Sequence, residues 1–360
     1  MRPRNYSALN SAFESWKAIL PLAEKDKYRL SKRFTIDFNF NSNHIEGNTL
    51  TYGQTELLLL FGKVLGEADL KDCMDMRASE VGLKMMEVEA IQQDMPLTQN
   101  FIRQLHKTLL REDYTVYRKL PGGNYTSYVV HAGQYKTRPN SVITRTGERF
   151  EYASPEETPS LMADLVDWYN VEEKKGKLNP VELAALFHYR YIRIHPFEDG
   201  NGRIARLLVN YILSRHNYPM IVIRNRKKQE YLDALSAADK TVGPNPSDGA
   251  KASLNEIGKF LHFLTKTVTE EIANDVKFVT EKGNNIWWYD GEMVRFRSEK
   301  VHLLLYSMMR DPAITISRLS LYTGISSRMV DKHIKQLTDK HYIQRREDGT
   351  FYVFITPSMQ

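Results

Sequence analysis

Apolar residues recur at helical spacing through most of the chain, and the breaks in that spacing mark its parts. Residues 1 to about 95 read as mostly helical. They are interrupted by a polar patch from Asn39 to Thr51 (NFNSNHIEGNTLT). Gly47 and Asn48 there predict a helix end, because both tolerate a left-handed backbone. Thr51 can cap the next helix, which carries the run Leu57 to Phe61. Phe101, Leu105 and Leu109 predict an amphipathic helix within residues 96–113. From Tyr114 to Pro155 the texture changes, with Gly122, Gly123, Gly133, Pro139 and Gly147 breaking the chain. Val142-Ile143 and Arg149-Phe150-Glu151-Tyr152 flank a Thr146-Gly147 turn, which predicts a β-hairpin.

Helices resume near Pro155, and Trp168 belongs to the first of them. Pro180 opens a strong one, VELAALFHYRYIRI, in the position where a missing N–H costs nothing. Pro196 pushes His195 out of the α region, so that helix should stop there. A second helix begins near Gly202 with RIARLLVNYILSRH, and more follow through Tyr231 and Leu235 and from Lys251 to Thr280. Residues 281–300 read as a linker or a short hairpin. The tail, 301–360, reads helix, helix, helix, hairpin, with Asp348-Gly349 as the turn. The expected fold class is mainly α. Its parts are a helical region 1–95, a core 96–280, a linker 281–300 and a small C-terminal domain 301–360.

Composition changes this picture only by exclusion. With 42% hydrophobic residues the 360-residue chain can bury a real core. A single cysteine, Cys73, excludes an internal disulfide framework and points to a reducing compartment. No apolar stretch approaches the ~20 residues of a membrane span, and the opening lacks a continuous apolar segment. The expected location is therefore the cytoplasm, with no membrane partner. The net charge of +6 suits an anionic ligand such as a nucleotide and is too dispersed to demand nucleic acid.

The chemistry concentrates in one loop between two helices, HPFEDGNGRIAR, from His195 to Arg206. His195 is the side-chain type poised to take a proton near neutral pH. Asp199 offers a carboxylate for Mg2+, which favours one or two protein carboxylates plus phosphate oxygens. Gly200 and Gly202 let backbone N–H groups approach an anion where a helix begins. Asn201 adds a side-chain donor. Arg203 and Arg206, three apart, share a helical face and can grip two phosphates, or a phosphate and a carboxylate. Each element alone is commonplace. Together, within twelve residues, they supply base, metal ligand, anion cradle and clamp for attack on a nucleotide phosphate.

The loop resembles the signature of Fic-domain proteins, HxFx(D/E)GNGRxxR, at His195, Phe197, Asp199, Gly200, Asn201, Gly202, Arg203 and Arg206. The resemblance runs from about residue 30 to 240 and is nearest to Fic proteins whose inhibitory helix precedes the core. It implies a helical core with a β-hairpin flap over the target site, and transfer of AMP from ATP to a Ser, Thr or Tyr hydroxyl of a target protein or of the chain itself. By that analogy His195 takes the hydroxyl proton and Asp199 holds Mg2+ bridging the α- and β-phosphates. Gly200, Asn201 and Gly202 cradle phosphate, Arg203 meets the β-phosphate and Arg206 the γ-phosphate. The family's inhibitory motif, (S/T)xxxE(G/N), is matched by Ser42, Glu46 and Gly47. A carboxylate at Glu46 would occupy the Arg206 that otherwise grips the γ-phosphate. Without the signature, the same six residues would read as a helix-end glutamate beside a capping glycine. In some members this glutamate favours removal of AMP instead, and the residues here do not decide between the two.

The target would dock at the flap, about residues 133–152, by strand addition. Gly133-Gln134-Tyr135-Lys136 resembles the family's glycine-x-aromatic-arginine step, with lysine in place of arginine. The insertion TVYRKLPGGNYTSYVVH ahead of it has no counterpart in the pattern. Tyr231 and Asp239 sit where relatives place groups around the nucleoside; helix packing is the competing reading. The tail resembles a winged helix-turn-helix, with Arg328, Lys332 and Lys335 on one face of its second motif helix. Five acidic residues offset eight basic ones between Arg310 and Asp348, so protein contact or homodimer formation is favoured over DNA. The competing function is a nucleotide-sensing DNA-binding regulator with a Fic core.

Overall fold

The computed structural model describes residues 5–64, 66–119, 123–143, 149–346 and 348–358. In chain order come α1 (Ser7–Lys17), α2 (Glu24–Ile45), α3 (Tyr52–Phe61), α4 (Leu70–Ala90) and α5 (Gln99–Leu110). Two antiparallel pairs follow: β1 (Tyr114–Lys119) with β2 (Tyr125–Val130), and β3 (Ser141–Ile143) with β4 (Arg149–Glu151). Next are α6 (Thr158–Lys175), α7 (Pro180–Ile194), α8 (Asn201–Arg215), α9 (Lys228–Val242), α10 (Pro246–Ala250) and α11 (Gly258–Thr280). The chain ends with β5 (Ile286–Tyr289), β6 (Glu292–Arg295), α12 (Glu299–Arg310), α13 (Ile316–Thr323), α14 (Ser327–Asp339), β7 (Ile343–Arg345), β8 (Phe351–Val353) and β9 (Thr356–Pro357). The class is mainly α, as expected.

Local chemistry explains the key boundaries. The Thr51 hydroxyl accepts from the Gln54 N–H, and the Gln54 side chain bonds back to the Thr51 N–H, so α3 starts on a reciprocal cap. Asn179 and Glu182 make the same cap for α7, with Pro180 in its first turn. α2 ends at Ile45, and Gly47 just beyond it has φ +99°.

The chain divides into two compact units. One holds residues 1–9, 38–49 and 68–269, the other 10–37, 50–67 and 270–360. The first is centred on α7 and α8. Every residue of α7 from Val181 to Tyr189 is buried, as is every residue of α8 from Ile204 to Leu213. Helices covered on all sides need close neighbours. α7 packs against α8, α6 and α10, and α8 also packs against α4 and α5. The loop between this rigid pair is held at both ends by the core.

Two β ribbons belong to the same unit. β3 and β4 pair with Val142 opposite Phe150, the expected hairpin; the Thr146-Gly147 turn lies outside the described residues. The insertion forms a second ribbon, with Val116 opposite Tyr128. Its strands, YTVYRK and YTSYVV, are rich in β-branched and aromatic residues, which suit a pleated surface.

In the second unit, β5 lies between β6 and β9. The 281–300 segment thus contains a hairpin, and its first strand pairs with the end of the tail. Its turn is Asp290-Gly291, both at positive φ, a dipeptide suited to a two-residue hairpin loop. Trp287 from β5 is fully buried among Leu304, Leu305, Met308, Leu319, Val330 and Phe351. The tail follows the expected order of three helices and a hairpin.

Candidate active site

The loop after α7 begins where proline forbids another helical turn. His195 takes a left-handed conformation, φ 50°, and its N–H caps the helix on the Tyr191 carbonyl at 2.9 Å. Gly200 is the cap of α8 at φ 76°, a conformation glycine adopts without strain. The first-turn N–H groups of α8 have no acceptor within the helix and carry its positive dipole end.

Side chains from distant segments fix this loop. The Asn201 amide closes it on itself: Oδ1 accepts from the Phe197 N–H at 3.0 Å and Nδ2 donates to the Phe197 carbonyl at 2.7 Å. The Asn140 amide donates to the Phe197 carbonyl at 3.0 Å. Lys136 Nζ is buried and donates to Asn140 Oδ1, the Ile194 carbonyl and the His195 carbonyl at 2.9, 3.0 and 2.9 Å. Three acceptors for three N–H bonds are the complement of an ammonium, while burial pulls the pKa of Lys136 down to about 7. On the other side His106 accepts from the Gly133 N–H through Nδ1 at 2.9 Å, so its Nε2 carries hydrogen and donates to the Asp199 carbonyl at 3.1 Å. The His106 ring stacks on buried Phe197 at 3.8 Å.

His195 lies between two amides, with Nδ1 2.8 Å from Asn140 Nδ2 and 3.1 Å from Asn201 Nδ2. Both amide groups are oriented by their other partners, so Nδ1 is the acceptor and the resting ring carries its hydrogen on Nε2. Tyr152, next to β4, stacks on the ring at 4.0 Å. Burial, and then the Lys136 charge, hold the imidazole pKa well below its ordinary 6.5.

Asp199 projects a carboxylate that is half exposed. Oδ1 accepts from the Gly200 N–H at 2.6 Å and Oδ2 from the Tyr114 hydroxyl at 2.7 Å. Burial works to raise its pKa, but the Arg203 guanidinium and these two donors hold it below the usual carboxylate value. Arg203 Nη2 is 3.6 Å from Oδ2. The Arg203 Nε is buried and meets no acceptor among the described residues. No group of three or more His, Cys, Asp or Glu side chains gathers into a metal cage among the described residues. A cation at Asp199 would have to complete its shell with water or ligand oxygens, a set that suits Mg2+ and phosphate.

Arg206 is nearly fully buried and fully engaged on one side. Its Nε donates to Ser42 Oγ at 3.0 Å, and its Nη2 donates to the Ser42 carbonyl at 2.8 Å and to Glu46 Oε1 at 2.6 Å. A Cβ on Gly202 would collide with Glu46 Oε1. The Glu46 carboxylate therefore lies against the first turn of α8, where a helix N-terminus favours an anion.

Tyr231 is buried, with its hydroxyl 2.8 Å from His188 Nε2. Asp239 accepts from the Tyr189 hydroxyl at 2.7 Å and from Arg193 Nη1 at 3.3 Å. Both sit in side-chain networks of the core.

The Fic/DOC family model matches residues 96–213. A crystal structure of a Fic domain containing signaling protein from Bacteroides thetaiotaomicron is 52% identical, with a TM-score of 0.70. The match covers 75% of this chain and 96% of that one. The chain belongs to the Fic/DOC family. Protein adenylyltransferase fic-1 of Caenorhabditis elegans is 30% identical over 258 residues, which are 71% of this chain and 47% of the worm protein. The chain thus spans about half the length of that relative. A Fic family protein from Desulfovibrio desulfuricans shares the fold, with 19% identity and a TM-score of 0.54 over 96% of this chain and 93% of that one.

Of the residues the motifs singled out, Arg206 meets Ser42 and Glu46, and Gly202 lies against Glu46. Sequence reasoning missed Asn140, His106, Tyr114 and Tyr152, and it noted Lys136 only as a departure from pattern. No helix among the described residues is long and apolar enough to cross a membrane.

Proposed function

We propose that the chain transfers AMP from ATP to a hydroxyl of a protein side chain, under restraint by Glu46. The observation that carries this reading is the loop between α7 and α8. Within twelve residues it carries an imidazole, a half-exposed carboxylate, the N-terminal turn of α8 and two buried guanidiniums. The adenylyltransferase names of the family relatives support the same reaction class.

In the proposed step the target oxygen attacks the α-phosphorus, the bond from that phosphorus to the bridging oxygen breaks, and pyrophosphate leaves with the β- and γ-phosphates. The hydroxyl proton goes to His195. In the resting geometry Nε2 already carries hydrogen, so accepting the proton there requires the opposite tautomer. Arg203 contributes its guanidinium charge, and Arg206 takes the terminal phosphate once Glu46 withdraws. Mg2+, held by Asp199, would supply charge neutralisation at the phosphates. The protein's part is positioning and preorganised charge.

ATP labelled at either end tests the reaction class. Label should pass to protein from the α-phosphate and never from the γ-phosphate. Transfer of γ-label would make the activity a kinase and sink the proposal.

The lowered pKa of His195 also predicts the pH profile. A base must be neutral, and a depressed pKa keeps it neutral as pH falls through the ordinary imidazole range. The kcat/KM for transfer should therefore stay flat between about pH 5.5 and 6.5, below the range in which Lys136 titrates. An acid limb with an apparent pKa near the ordinary 6.5 would contradict this environment for His195.

Glu46 is the proposed restraint, and AMP removal stays open as a second use of the same carboxylate. The flap at residues 133–152 is the proposed target-docking segment. The tail, with its three helices and hairpin, is proposed to be a winged helix. Arg328, Lys332 and Lys335 are exposed on α14, and Asp331 and Asp339 lie exposed on the same helix. That mixed surface favours a protein contact over DNA.

A further inference from the structure

We infer that Tyr114 is a positioning residue for the divalent cation: its hydroxyl sets the Asp199 carboxylate in the orientation that receives the metal. This rests on the adenylyltransferase reading above. Asp199 is held from two sides, by the Gly200 N–H on Oδ1 and by the Tyr114 hydroxyl on Oδ2. Two donors on two oxygens fix the plane of the carboxylate and leave its remaining lone pairs outward, on a side chain that is half exposed. A ligating carboxylate is normally oriented by such outer partners, and their loss weakens the metal.

A competing partner makes the orientation matter. Arg203 Nη2 stands 3.6 Å from the same Oδ2, one helical turn along α8. Without the phenol, the carboxylate is free to close onto that guanidinium. The closed ion pair would occupy Asp199 and tie up the arginine that is needed for phosphate. The Tyr114 hydroxyl occupies an Oδ2 lone pair that would otherwise be free to turn further toward Arg203.

The phenol is built for this use. Tyr114 is the first residue of β1, directly opposite buried Val130, so its backbone is anchored where the inserted ribbon leaves the core. Tyr114, Asp199 and Arg203 line a cavity of about 190 Å³ together with Asp75, Lys71 and Arg111. That recess is large enough to admit a hydrated cation.

Mn2+ binding followed by electron paramagnetic resonance, in the presence of ATP carrying a methylene between the α- and β-phosphorus, tests the inference. Tyr114→Phe keeps the ring and removes only the hydroxyl. Its apparent Mn2+ affinity should fall about tenfold or more, while affinity for the analogue measured without metal serves as the reference. Unchanged or tighter Mn2+ binding in Tyr114→Phe would overturn the role. Asp199→Asn separates the levels. If it loses Mn2+ and Tyr114→Phe does not, the inference fails and the metal reading stands. If neither variant loses Mn2+, the assignment of the metal to Asp199 falls, and this role with it.

Discussion

Glu46→Gly is expected to raise the rate of AMP transfer about 5- to 30-fold at matched ATP and Mg2+. The carboxylate holds Arg206 Nη2 at 2.6 Å and rests against Gly202, so it competes both for the arginine and for the anion position at the start of α8. A charge-assisted hydrogen bond of this kind is worth ~1.5–3 kcal/mol. The glutamate side chain is 41% exposed, which discounts it to ~1–2 kcal/mol. About 1.4 kcal/mol is tenfold in an equilibrium, which sets the predicted range. Arg206 would keep both contacts to Ser42, so the guanidinium stays aimed at the site while its outer edge is freed. The change lies just past the end of α2, where glycine costs little helix stability. The initial rate of AMP incorporation is the readout, and an unchanged rate would remove the inhibitory role from Glu46.

His195→Ala, made in the Glu46→Gly background, should reduce transfer by about 10²- to 10⁴-fold, the usual contribution of a positioned general base. ATP affinity should hold, because the anion-binding groups are α8 backbone N–H, Arg203 and Arg206, none of which contacts the imidazole. The fold should survive as well. The backbone of residue 195 still caps α7, and Asn140 and Asn201 keep their bonds to the Phe197 carbonyl. Equal loss in kcat and in kcat/KM, with nucleotide binding retained, is the expected signature. A loss confined to ATP binding would make His195 a structural residue of the loop.

Much of this was legible in the sequence because it is local. Pro180, Pro196 and Gly200 punctuate α7 and α8, and the apolar runs between them leave no other reading. Thr51 announces its helix as a cap residue. The proposed catalytic kit lies within twelve consecutive residues, so spacing brought it into view. The supports of that kit are different. Tyr114, Asn140 and His106 reach the loop from 55 to 93 residues away, and contacts of that span leave no periodicity to read. Lys136 stood out only as a departure from pattern. In the structure it staples the end of α7 through three carbonyl-type acceptors, a role no local rule assigns to lysine. The β1/β2 ribbon was hidden because glycines around it read as loop, although its strands alternate β-branched and aromatic residues. The 281–300 segment carried an Asp290-Gly291 turn signal, but its pairing with β9 joins positions about seventy residues apart, as in Trp287 opposite Pro357. Asn201 shows the limit of motif reasoning in the other direction. It was read as a donor to phosphate, and here its amide is committed to the Phe197 backbone.

The most direct test of the central claim is incubation of wild type, Glu46→Gly and Glu46→Gly/His195→Ala with Mg2+ and ATP labelled at the α-phosphate, followed by counting label on protein. Strong label in Glu46→Gly, weak label in wild type and none above background in the double variant is the predicted result. Equal label in all three, or none in any while ATP still binds, would contradict AMP transfer restrained by Glu46 and carried by His195.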